Sequence, residues 1–208
     1  MDHIVYDVEI AKEVDSVPGK WDNPEGMGFG SAVAYSYDKD QYHFFLHEQG
    51  RAGLIALLAN NKAIGFNSIK FDSRVVLGND RRFDDAGETW RIATESEEYV
   101  IWKNTDLLLE YIRARFEYQT VTEAEGRLGD RAIHDGSFSL DGLAEGTFGL
   151  KKTGHGAHAP ILYQQEKYDE LLEYNLHDVR LTKKLWEFSL KYKYVVDRKG
   201  RVIRFFAI

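Results

Sequence analysis

Cysteine is absent from the 208 residues, which excludes disulfides, thiolate nucleophiles and cysteine-ligated zinc. Any metal must therefore be held by Asp, Glu, His or backbone oxygen. Proline is scarce, at 3, while 4 Trp, 12 Tyr and 12 Phe accompany 18 Gly. That composition belongs to a chain that folds, neither disordered nor collagen-like. No apolar run approaches the roughly 18–20 residues of a membrane span, and Met1-Asp2-His3-Ile4-Val5 lacks a basic stretch leading into an apolar one, so the expected location is cytoplasmic. A basic excess is missing as well. The net charge of −7 argues against strong non-specific affinity for nucleic acid, which requires a basic surface. The charge is unevenly placed: residues 179–208 carry +7, with nine Lys or Arg against Glu187 and Asp197, and the preceding 178 carry −14. A basic arm beside an acidic site remains open, as does a solvated helix face with a hairpin whose charges guard a sheet edge.

The length fits one domain. His3 to Glu9 is a β-rich run ending in two acids, and a polar loop with Pro18-Gly19 and Asn23-Pro24-Glu25-Gly26 follows. Gly30 to Tyr37 and Gln41 to His47 are β-prone on either side of Asp38-Lys39-Asp40, a hairpin signal. Leu54, Ile55, Leu57 and Leu58 have helical spacing, and Ala63 to Phe66 reads as a buried strand entering Asn67, which completes a crossover. Phe71 to Leu77 predicts a helix, and residues 79–98 read as a polar, irregular insertion. Tyr99 to Trp102 predicts a strand, then a helix through Leu107, Leu108, Tyr111, Ile112 and Phe116 for which Asp106 is the favoured N-cap. Ser139 opens another capped helix, and a long helix from about Glu166 to Tyr192 precedes a terminal hairpin around Asp197-Arg198-Lys199-Gly200. The domain is read as residues 1–194, with 195–208 as its hairpin extension.

Four acids sit where these elements meet: Asp7 and Glu9 on the first strand, Asp72 after the crossover strand and Asp178 on the long helix. Asp7 and Glu9 are two apart, so both point to one face of a strand. Carboxylates that close repel unless a cation neutralises them, and a hard divalent ion with oxygen ligands, Mg²⁺ or Mn²⁺, suits them. By itself the pair reads equally well as strand-end caps. Tyr174 precedes Asp178 by one helical turn and shares its face.

Three segments recur in order: Asp7-Val8-Glu9, then Asn67-Ser68-Ile69-Lys70-Phe71-Asp72, then Tyr174-Asn175-Leu176-His177-Asp178. Together they resemble the DEDD superfamily of 3′–5′ exonucleases in its tyrosine-containing branch, as in the proofreading domain of family B DNA polymerases and its stand-alone relatives. The resemblance runs from Ile4 to about Trp186; the histidine-containing branch would need His where Glu173 stands. It implies an α/β fold of the ribonuclease H-like type, a mixed five-stranded sheet with its first three strands antiparallel and helices on both faces. It implies two Mg²⁺ or Mn²⁺ ions held by Asp7, Glu9, Asp72 and Asp178, with Tyr174 positioning the attacking water. Asn67 and Phe71 would contact the terminal nucleotide of a single-stranded or 3′-ended DNA or RNA, and Ile10, standing in a run where the family has small hydroxyl residues, would wedge against a base. A non-catalytic nucleic-acid-binding module of the same fold and a related metal-dependent endonuclease are the alternatives. Gly154 to His158 reads as a solvated loop rather than a phosphate lid, and Tyr6, Trp21, Trp90 and Trp102 as core or rim packing. Walker, nucleophile-elbow and zincin motifs are absent.

Overall fold

Strand β1 (His3–Ile10) runs through the middle of the sheet, and Ile4, Val5, Tyr6 and Val8 are all buried. A strand covered on both faces reads as a continuous apolar run rather than an alternating one. Asp7 and Glu9 are the exceptions to that rule. The structure, a computed structural model, describes residues 1–78, 81–84, 88–93, 98–130, 136–150 and 158–204. The expected hairpin is present: β2 (Phe29–Ser36) pairs antiparallel with β1, and β3 (Gln41–Leu46) pairs antiparallel with β2. Helix α1 (His47–Leu58) then crosses to β4 (Lys62–Gly65), which lies parallel to β1. Helix α2 (Asp72–Leu77) follows.

The segment read as an irregular insertion supplies two short strands, β5 (Arg81–Asp84) and β6 (Thr89–Ala93), before β7 (Glu98–Asp106). The sheet therefore has seven strands instead of five, in the order β3-β2-β1-β4-β7-β6-β5. Strand β7 is parallel to β4 and antiparallel to β6, so the inserted pair extends the β7 edge. Strands this short carry too few residues for a clear alternating pattern, and Trp90 and Trp102, paired across β6 and β7, bury the contact.

Helices α3 (Leu107–Phe116), α4 (Val121–Gly126), α5 (Leu140–Phe148), α6 (Ala159–Gln164) and α7 (Tyr168–Tyr192) complete the main body. Both faces of the sheet are covered. Tyr6 reaches Ser73 of α2 on one face, and Asp7 reaches Asn175 of α7 on the other. No helix among the described residues is long and apolar enough to cross a membrane. Residues 151–157, most of the Gly-rich segment, lie outside the described residues.

The terminal hairpin, β8 (Tyr194–Val196) and β9 (Val202–Arg204), forms its own two-stranded sheet and docks on α5. The approach is close enough to require Gly146, since a Cβ there would lie 2.2 Å from the Asp197 carbonyl oxygen. Arg198 bridges to Asp141 at 2.7 Å and to Glu145 at 3.6 Å, and Arg201 bonds to Asp197. Arg198 of the basic arm therefore ties the hairpin to α5, and Arg201 braces the hairpin internally.

Candidate metal centre

Only His3, Ile4 and Val5 of β1 pair with β4; past Val5 that side of the strand has no ladder partner. Strand β4 ends at Gly65, and its chain leads away toward α2 while β1 leads the other way into β2. Two adjacent parallel strands whose connections diverge leave a crevice at their carboxyl ends, the usual place for a site in an open α/β sheet. Asp72, the first residue of α2, occupies the gap: the Val8 N–H donates to its Oδ1 at 2.8 Å. A side chain thus takes the ladder position that β4 vacates, between the two acids of β1.

On the α7 face, Asp7, Glu9 and Asp178 each bring one carboxylate oxygen within 4.8 Å of the others. Glu9 and Asp178 are 8% and 4% exposed. Asp178 lies on the buried stripe of α7 with Leu171, Asn175 and Thr182, and Asn175 Nδ2 donates to Asp7 Oδ2 at 2.5 Å. Asn175 is fully buried and orients one of the clustered carboxylates. Neither composition nor the three-segment pattern singled it out; its spacing of three from Asp178, which puts both on one helix face, was the available signal.

The surroundings resist bare charge. Burial pushes the Asp72 carboxyl up to about 7 from its usual 3.8, and the Asp106 and Asp178 carboxylates add to the push. Burial likewise raises Asp106 to about 7, although four backbone N–H groups pull the other way. Burial also drives the Tyr6 phenol far above its usual range, with the Asp72 charge second; its hydroxyl meets Ser73 Oγ at 2.8 Å. The three clustered carboxylates form a negative, largely buried group that a divalent cation would neutralise, and Asp72 lies near enough to Asp178 for their charges to interact. The donors fit such an ion: with Mg–O of about 2.1 Å, opposite ligands lie about 4 Å apart, close to the span of this oxygen cluster.

The turn that carries Asn67 and Phe71 is built from β7. Asp106, expected as the cap of α3, accepts from Leu108 and Leu109 as such a cap does, and also from the N–H groups of Asn67 and Ile69, both at 2.9 Å. One carboxylate thereby ties the start of α3 to the turn before Asp72. Asn67 sits there in the left-handed region at φ 60, which asparagine tolerates better than most residues. Gly65 is required beneath it, since a Cβ would come within 2.4 Å of Ser68 Cβ. Asn67 and Lys70 line a cleft of about 380 Å³ with Leu108, Phe138 and Ser139.

The other expected residues are distributed as follows. Tyr174 is on α7 one turn before Asp178, its hydroxyl shielded from solvent. Phe71 is partly buried against Trp21. Ile10 is 4% exposed and faces Phe29 at a register shift in β1, so this expected base wedge packs in the core. No protein-family model matches the chain, and no curated protein sequence matches it. Chemically, the three clustered carboxylates offer oxygen ligands that could hold a divalent cation, and the cleft lined by Asn67 and Lys70 includes none of them.

Proposed function

We infer that this chain is a divalent-metal-dependent 3′–5′ exonuclease that releases nucleoside monophosphates from DNA or RNA. The observation that carries the reading is the convergence of Asp7, Glu9 and Asp178 within 4.8 Å, with Asp72 accepting from the N–H of Val8, the residue between the first two in sequence. Four acids in one largely buried crevice, on segments that recur in the order of the tyrosine-containing DEDD branch, serve a purpose that binding alone does not need, because unneutralised charge there opposes folding. A ribonuclease H-like fold accords with the central strands, in which β1, β4 and β7 are parallel and β2 and β3 antiparallel to their neighbours.

Asp7, Glu9, Asp72 and Asp178 would hold two Mg²⁺ or Mn²⁺ ions, which supply charge stabilisation to the attacking and leaving oxygens of phosphodiester hydrolysis. The chain's own residues do the rest. Asn175 keeps the Asp7 carboxylate aimed at its neighbours through its short hydrogen bond. Tyr174 orients a water by hydrogen bonding, a role its phenol hydroxyl fills without taking the water's proton. Asn67 and Phe71 bind the terminal nucleotide beside the cleft, and Asp106 fixes their turn. The test is hydrolysis of single-stranded oligonucleotides in Mg²⁺ or Mn²⁺. The parent chain should release mononucleotides, and Asp7→Ala and Asp178→Ala should lose rate on the order of 10³-fold. Undiminished hydrolysis by either variant would remove the acids from the chemistry.

A further inference from the structure

Trp21 is 61% exposed, whereas the chain's other tryptophans, Trp90, Trp102 and Trp186, are 3%, 0% and 4% exposed. Its ring lies 5.9 Å from that of Phe71, tilted by 47°, although the two residues are far apart in sequence. Tryptophan is highly buried on average, so a mostly exposed indole stands out. Its loop is anchored. Arg74 of α2 donates from Nε to Glu25 Oε1 and from Nη2 to Glu25 Oε2, both at 3.0 Å, and from Nη2 to the Asp22 carbonyl at 3.0 Å. The Glu25 side chain is 7% exposed, so this paired grip is well shielded from solvent. Asn23 adds bonds to the Pro18 carbonyl and from the Gly26 N–H. Val17 and Met27 bury the two ends of the segment in the core. A planar aromatic is therefore held in solvent by the helix that begins with Asp72, next to the residue that precedes Asp72.

We propose that Trp21 and Phe71 form a stacking platform for an unpaired nucleobase of single-stranded nucleic acid entering the metal centre. The inference rests on the exonuclease reading for the direction of the strand, and on the Trp21 geometry for the contact itself. Each base has a π-face, so the platform is tolerant of sequence, and a ring pre-ordered by its loop gives up little entropy on binding. Stacking of this kind accounts for about 5- to 150-fold in affinity per base.

The experiment uses the full chain with Asp178→Asn to prevent turnover, Mg²⁺, and either oligothymidylate or an abasic oligonucleotide of equal length. Because Trp21 is the exposed tryptophan, oligothymidylate should quench emission of the parent, and the quench should vanish in Trp21→Phe while affinity stays within about three-fold. Trp21→Ala should weaken oligothymidylate about 5- to 150-fold and leave the abasic strand unchanged, with the melting temperature preserved. Equal losses on both strands, or no loss on either, would overturn the platform. A chain that binds and quenches as stated but, with Asp178 intact, never hydrolyses would overturn the exonuclease reading and keep the platform. Hydrolysis with KM unaltered in Trp21→Ala would do the reverse.

Discussion

Replacing Asp72 with asparagine keeps the side-chain shape and the oxygen that accepts from the Val8 N–H, and removes the charge. Burial holds the carboxyl up at about 7, against 3.8 in the unfolded chain. In the metal-free protein, the folded state therefore binds a proton that the unfolded state lacks between those two values. Stability falls as pH rises through that window, and above about 7 the folded chain carries the charge at full cost. A difference of about three units at about 1.4 kcal/mol each sets an upper bound of about 4 kcal/mol. The new amide N–H groups in a site that is 4% exposed offset about 1–3 kcal/mol of that if they find no acceptor. The net gain of about 1–3 kcal/mol corresponds to about 2–12 °C in melting temperature for a chain of this size. Thermal melts followed by circular dichroism at pH 8 in EDTA should place Asp72→Asn above the parent. Adding Mg²⁺ should raise the parent more than the variant, because only the parent retains all four acids. Hydrolysis by the variant should fall on the order of 10³-fold. A variant that melts below the parent in EDTA, or gains as much from Mg²⁺, would make the Asp72 carboxylate a structural element and refute the charge-cluster reasoning.

Tyr174→Phe keeps the ring and loses one hydroxyl, so the melting temperature should hold while kcat falls about 10- to 100-fold in steady-state assays; an unchanged kcat returns the residue to packing alone. Asp106→Ala strands four backbone N–H groups, at Asn67, Ile69, Leu108 and Leu109, and should cost about 2–5 kcal/mol in urea unfolding; a loss below about 1 kcal/mol would show that water or other groups serve those donors. Arg198→Ala removes a half-exposed bridge to Asp141 and Glu145 and should cost at most about 1 kcal/mol, with the salt dependence of oligonucleotide binding unaltered; a flatter dependence would assign Arg198 to phosphate contact instead.

The acids were legible because their signal is local. The spacing of Asp7 and Glu9 puts them on one strand face, and the spacing of Tyr174 and Asp178 puts them on one helix face, whatever the rest of the chain does. The hairpin of β2 and β3, the crossover to β4 and the long helix α7 follow from equally local periodicity and turn chemistry. Three features were hidden because they arise from contacts across the chain. Strands β5 and β6 are short, and they form a ladder only because β7 offers β6 an edge to pair with. Asp106 announced itself as a cap, yet its bonds to Asn67 and Ile69 depend on β7 lying beside β4. Trp21 acquires its place only when Arg74 draws residues 22–25 onto α2. The basic arm shows the converse: its charge was plain in composition, but Asp141, Glu145 and Asp197 account for Arg198 and Arg201 within the fold.

The most direct measurement of the central claim follows a 5′-labelled single-stranded oligonucleotide and a closed circular single strand side by side with the purified chain in Mg²⁺ or Mn²⁺. The label should shorten progressively through a ladder of single-nucleotide steps, slow when the 3′ end is phosphorylated, and stop with EDTA, while the circle stays intact. Linearisation of the circle, or intact oligonucleotide with both metals, would contradict a metal-dependent 3′–5′ exonuclease.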